Sequence, residues 1–304
     1  MRQLEKKLTL SVLLGAMLLL HPPVSAQETL DYYEPKVEIF MGADLLYRDI
    51  FHDKIYEAVV NLTPGVKWNM GHHWQVAGQA IVPVYNDYGD RYKKVRLNMA
   101  VLSKQWFYRD RHFLKVSTGL FGMERYGVDV KWMSIVTPWL ALDAQVGLTG
   151  FCSMAADWEC SEMTRFSGWA GFRVYLDCAQ TEFRVRGGRY VYEDYGGRVD
   201  IMRHFKHCTV GVYMQYNDMD KENGGFKVTM MIPPYKRRAK KVQIRPASNF
   251  CFTHNFKGTE YAVKTYQTDP EENDREGDFS RDRVRWGANT LPVDYVYKKK
   301  GGKR

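Results

Sequence analysis

The sequence predicts an all-β protein: an antiparallel transmembrane β-barrel of about twelve strands, bounded by about ten and about fourteen. Three observations carry this. Apolar and polar residues alternate with a period of two along most of the chain, which marks strands with one apolar and one polar face. Stretches such as Tyr92–Phe107 outrun the usual globular strand of about five or six residues and reach the roughly nine to eleven that a membrane strand needs. After an N-terminal leader, no apolar run is long enough for a membrane helix, and mean hydropathy is negative, as a polar lumen face makes it.

Residues 1–26 read as a secretory signal. Arg2, Lys6 and Lys7 precede the apolar run Leu8–Leu20, and Val24-Ser25-Ala26 is a small-residue cleavage site. Pro22-Pro23 closes the run, which favours cleavage after Ala26 over an uncleaved anchor. The expected organisation is a signal at 1–26, an outer-membrane barrel at 27–256 and a polar extension at 257–304 that is partly disordered. The expected location is the bacterial outer membrane, with membrane lipid and lipopolysaccharide around the barrel.

Lys36–Tyr47 is the first expected strand. Glu57–Val84 is the clearest hairpin: Ala58, Val60, Leu62, Val66 and Trp68 oppose Asn61, Thr63, Lys67 and Asn69. Trp74, Val76, Ala80, Val82 and Val84 resume the apolar face after a tight turn. Trp68 and Trp74 flank that turn, where a barrel sets its membrane-interface aromatics, although a soluble sandwich could bury them. Tyr92–Phe107 sets Val95, Leu97, Met99 and Val101 against Arg96, Asn98 and Lys104. His112–Glu124 sets Leu114, Val116 and Leu120 against Lys115, Ser117 and Gly119. Tyr126–Thr137 and Trp139–Phe151 are less regular. Cys152 and Cys160 flank a loop and could close it as a disulfide or remain free thiols; the count of five cysteines is odd.

Arg165–Leu176 points Phe166, Phe172 and Val174 outward, leaving Arg173 inward. Thr181–Gly187 points Phe183 and Val185 outward and Glu182, Arg184 and Arg186 inward. Val199 and Ile201 alternate with Asp200, Met202 and His204; Val210, Val212, Met214 and Tyr216 follow, then Phe226, Val228 and Met230. Val242–Phe256, with Phe250, Phe252 and Phe256, is the expected closing strand. Asp269–Arg283 reads as disordered, and Glu271-Glu272 as a solvated charge run.

Gly188-Arg189-Tyr190, then Asp194-Tyr195-Gly196-Gly197, Arg203-His204-Phe205 and a Gly225-Phe226-Lys227 strand ending in Ile232-Pro233 come in a characteristic order. This order resembles the end of the barrel in the YjbH-like family of exopolysaccharide export and biosynthesis proteins, best over 188–233. Lys221–Gly225 departs from the Phe-Asp-Lys-Gly type run of that family. The resemblance implies a non-enzymatic role in export or surface assembly of an exopolysaccharide, alongside other export-system proteins.

Charge bears on substrate. The net charge is +9, with basic blocks at Lys236–Lys241 and Lys298–Arg304. A secretory leader argues against nucleic acid, which leaves anionic headgroups, an acidic polysaccharide, or simply a solvated basic rim and tail. By parity, Arg96, Lys104, Lys115, Arg173, Glu182, Arg184 and Arg186 avoid the lipid face, where charge is costly. They either guide an anionic polymer or pair with one another and fill a narrow lumen. No nucleophile elbow accompanies Ser103, Ser117 or Ser134, and the cysteine spacing matches no metal site. No catalytic residue, metal ligand or cofactor is therefore assigned. A lipid- or glycan-modifying barrel enzyme and a secreted β-sandwich that binds glycan stay open as alternatives.

Overall fold

A computed structural model describes residues 36–49, 56–87, 93–108, 111–137, 139–154, 158–205, 208–219, 221–230, 241–247, 250–255 and 265–271. The expected signal at 1–26, most of Lys236–Lys241, Phe256, Glu272 with the rest of the stretch expected to be disordered, and Lys298–Arg304 lie outside the described residues.

The first half of the sheet comprises β1 (Val37–Asp49), β2 (Tyr56–Gly71), β3 (Trp74–Asn86), β4 (Arg96–Tyr108), β5 (His112–Phe121), β6 (Arg125–Thr137) and β7 (Leu140–Ser153). After the two-residue β8 (Glu159–Cys160) come β9 (Arg165–Leu176), β10 (Thr181–Arg189), β11 (Tyr195–His204), β12 (Cys208–Asn217) and β13 (Lys221–Met230). Two short strands end the sheet, β14 (Val242–Pro246) and β15 (Phe250–Asn255). Among the described residues, the twelve long strands form one antiparallel meander in chain order, with β8 set aside on β7. Cys152 and Cys160 are joined as a disulfide on that β7–β8 pair. The meander has the expected twelve strands, and the short β8, β14 and β15 bring the sheet to fifteen.

The expected closing strand is two pieces. β14 lies parallel on β1, from Val37↔Val242 to Met41↔Pro246, and the Ala247 N–H continues onto the Met41 carbonyl. β15 lies antiparallel on β13, from Gly225↔Asn255 to Met230↔Phe250. Both directions follow from parity. After twelve alternating strands, a thirteenth that opposes β13 must run the same way as β1. One stretch of chain thus touches both ends of the meander. Its two pieces remain the edges of the sheet, so the ladder does not run unbroken around a ring.

The faces show the environment. Val66, Val76, Leu102, Leu114, Val146 and Phe172 are exposed, as are Val199, Ile201, Val210, Val212 and Phe226. Between them, Lys115, Asp129, Arg173, Glu182, Arg184 and Asp200 are buried. A water-soluble sandwich hides apolar side chains and solvates its charges; this distribution is the reverse, the pattern of a barrel with an apolar outer belt and a polar lumen. Trp68 and Trp74 both lie on the outer face beside the β2–β3 turn.

That turn is His72-His73, with φ of 48° and 62°. Both central residues of a two-residue hairpin turn take positive φ, which suits Asn-Gly far better than two histidines. Replacing His72→Asn together with His73→Gly is expected to stabilise the barrel by about 1 kcal/mol, read as a higher urea midpoint.

One strand departs from its expected parity. In β3–β4, Gln79 pairs with Met99 but Ala80 with Leu97, so Asn98 is the extra residue of a β-bulge. A bulge swaps the faces that follow it. Val95 and Leu97 are exposed as expected, but Met99 and Val101 are buried, and Lys104 points outward. Lys104 sits over the rings of Trp74 (4.7 Å) and Trp106 (5.3 Å), a cation held at the outer aromatic cluster. Lys104 is therefore not a lumen residue. Arg96 is half-buried at the strand's start and donates to the Lys94 carbonyl at 3.4 Å.

Candidate functional site

The interior of the barrel is built from alternate residues of each strand, and two zones of it carry charge. The first lies on β7, β9, β10 and β11. Arg173 donates through Nε and Nη2 to Asp143 Oδ2 at 2.9 and 2.8 Å, with both side chains nearly fully buried. Arg184 donates to Glu182 Oε1 at 3.1 Å, and His204 Nε2 lies 3.1 Å from Glu182 Oε2. Arg186 and Arg198 converge on Asp200, with Nη2 contacts of 2.9 and 2.8 Å. Arg186 also lies over Trp169, and Arg198 over Tyr213 at 3.9 Å. Of the expected lumen set, Lys115, Arg173, Glu182, Arg184 and Arg186 are thus inside. The last four meet carboxylates, cations or His204 on the same wall.

The second zone holds a peptide. Thr265–Glu271 belongs to no strand and lies inside, against β2, β3, β5, β6 and β14. The Tyr266 hydroxyl donates to Asp129 Oδ2 at 2.7 Å, and Gln145 Nε2 donates to the same oxygen at 2.6 Å. The Tyr266 ring stacks on Phe121, with centroids 5.4 Å apart, in a cluster with Met99, Val101 and Val191. The Gly122 N–H donates to the Gln267 carbonyl at 2.9 Å, and Gln79 Nε2 to the Pro270 carbonyl at 3.1 Å.

The peptide's carboxylates end on cations of the wall. Lys67 Nζ lies 2.6 Å from Asp269 Oδ1 and 3.0 Å from Glu271 Oε2. Lys115 Nζ lies 3.5 Å from Asp269 Oδ2. Arg245 of β14 pairs with Glu271 and, through Nε at 2.9 Å, with Glu38 of β1. Burial by itself would raise the Asp269 carboxyl, but the ammonium groups of Lys67 and Lys115 hold it well below the usual carboxylate range. Burial and the neighbouring Asp129 push the Tyr266 phenol well above its ordinary value. Glu271 is only 8% exposed, so the solvated run expected at Glu271-Glu272 is overturned for Glu271. Asp269, expected to open a disordered stretch, is likewise seated in the lumen.

Gly147 makes the space for Tyr266: a Cβ there would fall 1.8 Å from the phenol oxygen. Gly147→Leu is expected to expel the peptide while leaving the β6–β7 ladder intact. Overpacking of this kind costs about 1–3 kcal/mol. The check is faster amide hydrogen exchange over 265–271 with unchanged exchange in β6 and β7.

The residues that carry the sequence resemblance have a place here. Tyr190 and Asp194 close the β10–β11 turn, with the Tyr190 N–H donating to the Asp194 carbonyl at 2.8 Å. That turn drops Val191 into the cluster that holds Tyr266. Ser103, Ser117 and Ser134 are buried on the lumen wall, whereas His72 and His73 form the β2–β3 turn. Among the described residues no three His, Cys, Asp or Glu side chains gather as a metal site.

The family described as exopolysaccharide biosynthesis protein YbjH matches residues 55–232, more than half of the chain. The chain belongs to this YjbH family. The YjbH match runs from β2 through β13 and so extends far beyond 188–233. It includes Lys67 and Lys115, while Arg245 and the peptide 265–271 follow it in the chain. No curated protein matches the chain. Among solved structures, in-vitro folded OmpT, an outer membrane protein of Vibrio cholerae, is similar at 9% identity with a TM-score of 0.33. The alignment covers 72% of this chain and 95% of that one.

Proposed function

We propose that this YjbH-family chain is a non-enzymatic barrel of the bacterial outer membrane that assists export or surface assembly of an exopolysaccharide. The observation that carries the reading is the inverted distribution of side chains, apolar outside and charged inside, on a chain of an exopolysaccharide biosynthesis family. The outer belt meets membrane lipid and lipopolysaccharide. The inner wall offers cations to an acidic polymer, and other export proteins work beside it. The occupied lumen favours a gated or assembly role over a standing open pore.

The experiment has two steps. An outer-membrane fraction in mild detergent is run on a gel with and without boiling, and a band that shifts on boiling is expected. Deleting the gene is then expected to lower secreted polysaccharide several-fold, with restoration by the wild-type gene. Unchanged secretion would defeat the export role, and a soluble protein with no shift would defeat the membrane location.

A further inference from the structure

We infer that Lys67, Lys115 and Arg245 form a binding site for the carboxylates of an acidic polysaccharide, and that Asp269 and Glu271 fill it as the chain's own substitute. The inference rests on the proposed role with exopolysaccharide and names the site for it.

The three cations come from β2, β5 and β14, far apart in sequence, yet converge on two neighbouring carboxylates: Lys67 reaches both, Lys115 reaches Asp269 and Arg245 reaches Glu271. Their side chains are mostly buried: 12% exposed for Lys67, 7% for Lys115 and 3% for Arg245. Lifting the peptide out removes two negative charges from this wall; Glu38 stays on Arg245 and Asp129 stays near Lys115, while Lys67 loses both of its carboxylates. Buried cations without counter-charge are costly, so the wall accepts another anion in the peptide's place. The rest of the pocket suits a sugar. Phe121 presents a flat ring, now covered by Tyr266, and Gln79 and Gln145 present carboxamides that now bond the peptide's carbonyl and the oxygen shared with its phenol. A pyranose uses such groups in the same way, through an apolar ring face and its hydroxyls. The peptide is held by side-chain contacts and a few hydrogen bonds, not by a strand ladder. It belongs to no strand, so its departure breaks no ladder hydrogen bond.

The test uses the full-length protein in detergent, with polygalacturonate as the uronate polymer and dextran as the neutral one. Polygalacturonate is expected to speed hydrogen exchange over 265–271 by about tenfold or more, and dextran to leave it unchanged. By calorimetry, Asp269→Asn with Glu271→Gln is expected to bind polygalacturonate about tenfold tighter than wild type, equivalent to about 1.4 kcal/mol. Lys67→Gln with Lys115→Gln is expected to bind it about tenfold more weakly. Equal affinity of the Asp269/Glu271 variant and wild type overturns the inference, as does unchanged exchange over 265–271. The boiling shift reports folding of each variant. If the lysine variant does not fold, the carboxylate variant decides alone. The two readings fail separately: normal secretion after gene deletion with intact displacement of the peptide removes the export role and keeps the site. Lost secretion without displacement keeps the role and removes the site.

Discussion

Replacing Asp200 with alanine is expected to destabilise the barrel by about 3–5 kcal/mol, the cost of stripping one partner from a buried ion pair. Asp200 is 1% exposed and accepts from Arg198 Nε and Nη2 and from Arg186 Nη2, all within 3.1 Å. Arg186 is 6% exposed, and Lys227 of β13, which faces the same interior, is 5% exposed. Alanine leaves these cations facing one another without their shared carboxylate. Asp200→Asn separates charge from shape, because it keeps the side chain's size and loses its charge; it is expected to give most of the alanine effect. The measurement is urea unfolding in detergent, followed by loss of the fast-migrating band in unheated samples. A cost below about 1 kcal/mol, the value of a solvated pair, would show that water enters this part of the lumen and screens the cluster.

The lumen cluster was legible in the sequence wherever parity ran unbroken. On β9 to β11 the inward charges sit between bulky apolar residues such as Phe172, Val174, Phe183, Val185, Val199 and Ile201, so Arg173, Glu182, Arg184 and Arg186 could be placed, and Asp200 and His204 fell on the polar face. On β4 the same rule failed because of one residue. The bulge at Asn98 is invisible to a period of two, so Met99 and Val101 were assigned to the wrong face and Lys104 to the wrong side of the wall. On β6 and β7 the rule was blurred for a different reason. Near one end the inward positions hold Met133, Ile135 and Ala141, packed with Phe113 and Tyr175, so both faces of those strands look apolar. Asp129, Lys131 and Asp143 were hidden by that. The peptide 265–271 had no local signal at all. Its place depends on Lys67, Lys115 and Arg245, which lie up to about two hundred residues away in the chain.

Val212→Arg is expected to cost about 2–4 kcal/mol, and this substitution separates the membrane reading from a soluble one by size as well as by sign. Val212 lies mid-strand in β12, exposed, between Ile201 of β11 and Phe226 of β13, so its surroundings on the outer face are apolar on both sides. In water, such a position would gain from a charged side chain or change little, within about 0.5 kcal/mol. In lipid, the guanidinium must leave water at the depth where that is dearest. Depth then supplies the control. Tyr216 is exposed on the same face but lies next to the end of β12, beside the turn. Tyr216→Arg is expected to cost only about 0–1 kcal/mol, because the side chain reaches the headgroups. Both variants are read by equilibrium unfolding in lipid vesicles against wild type. A large cost at Val212 with a small one at Tyr216 fits strands that cross a bilayer. Equal, near-zero costs would mean that the outer face meets water, and the apolar belt would then need a protein partner to cover it.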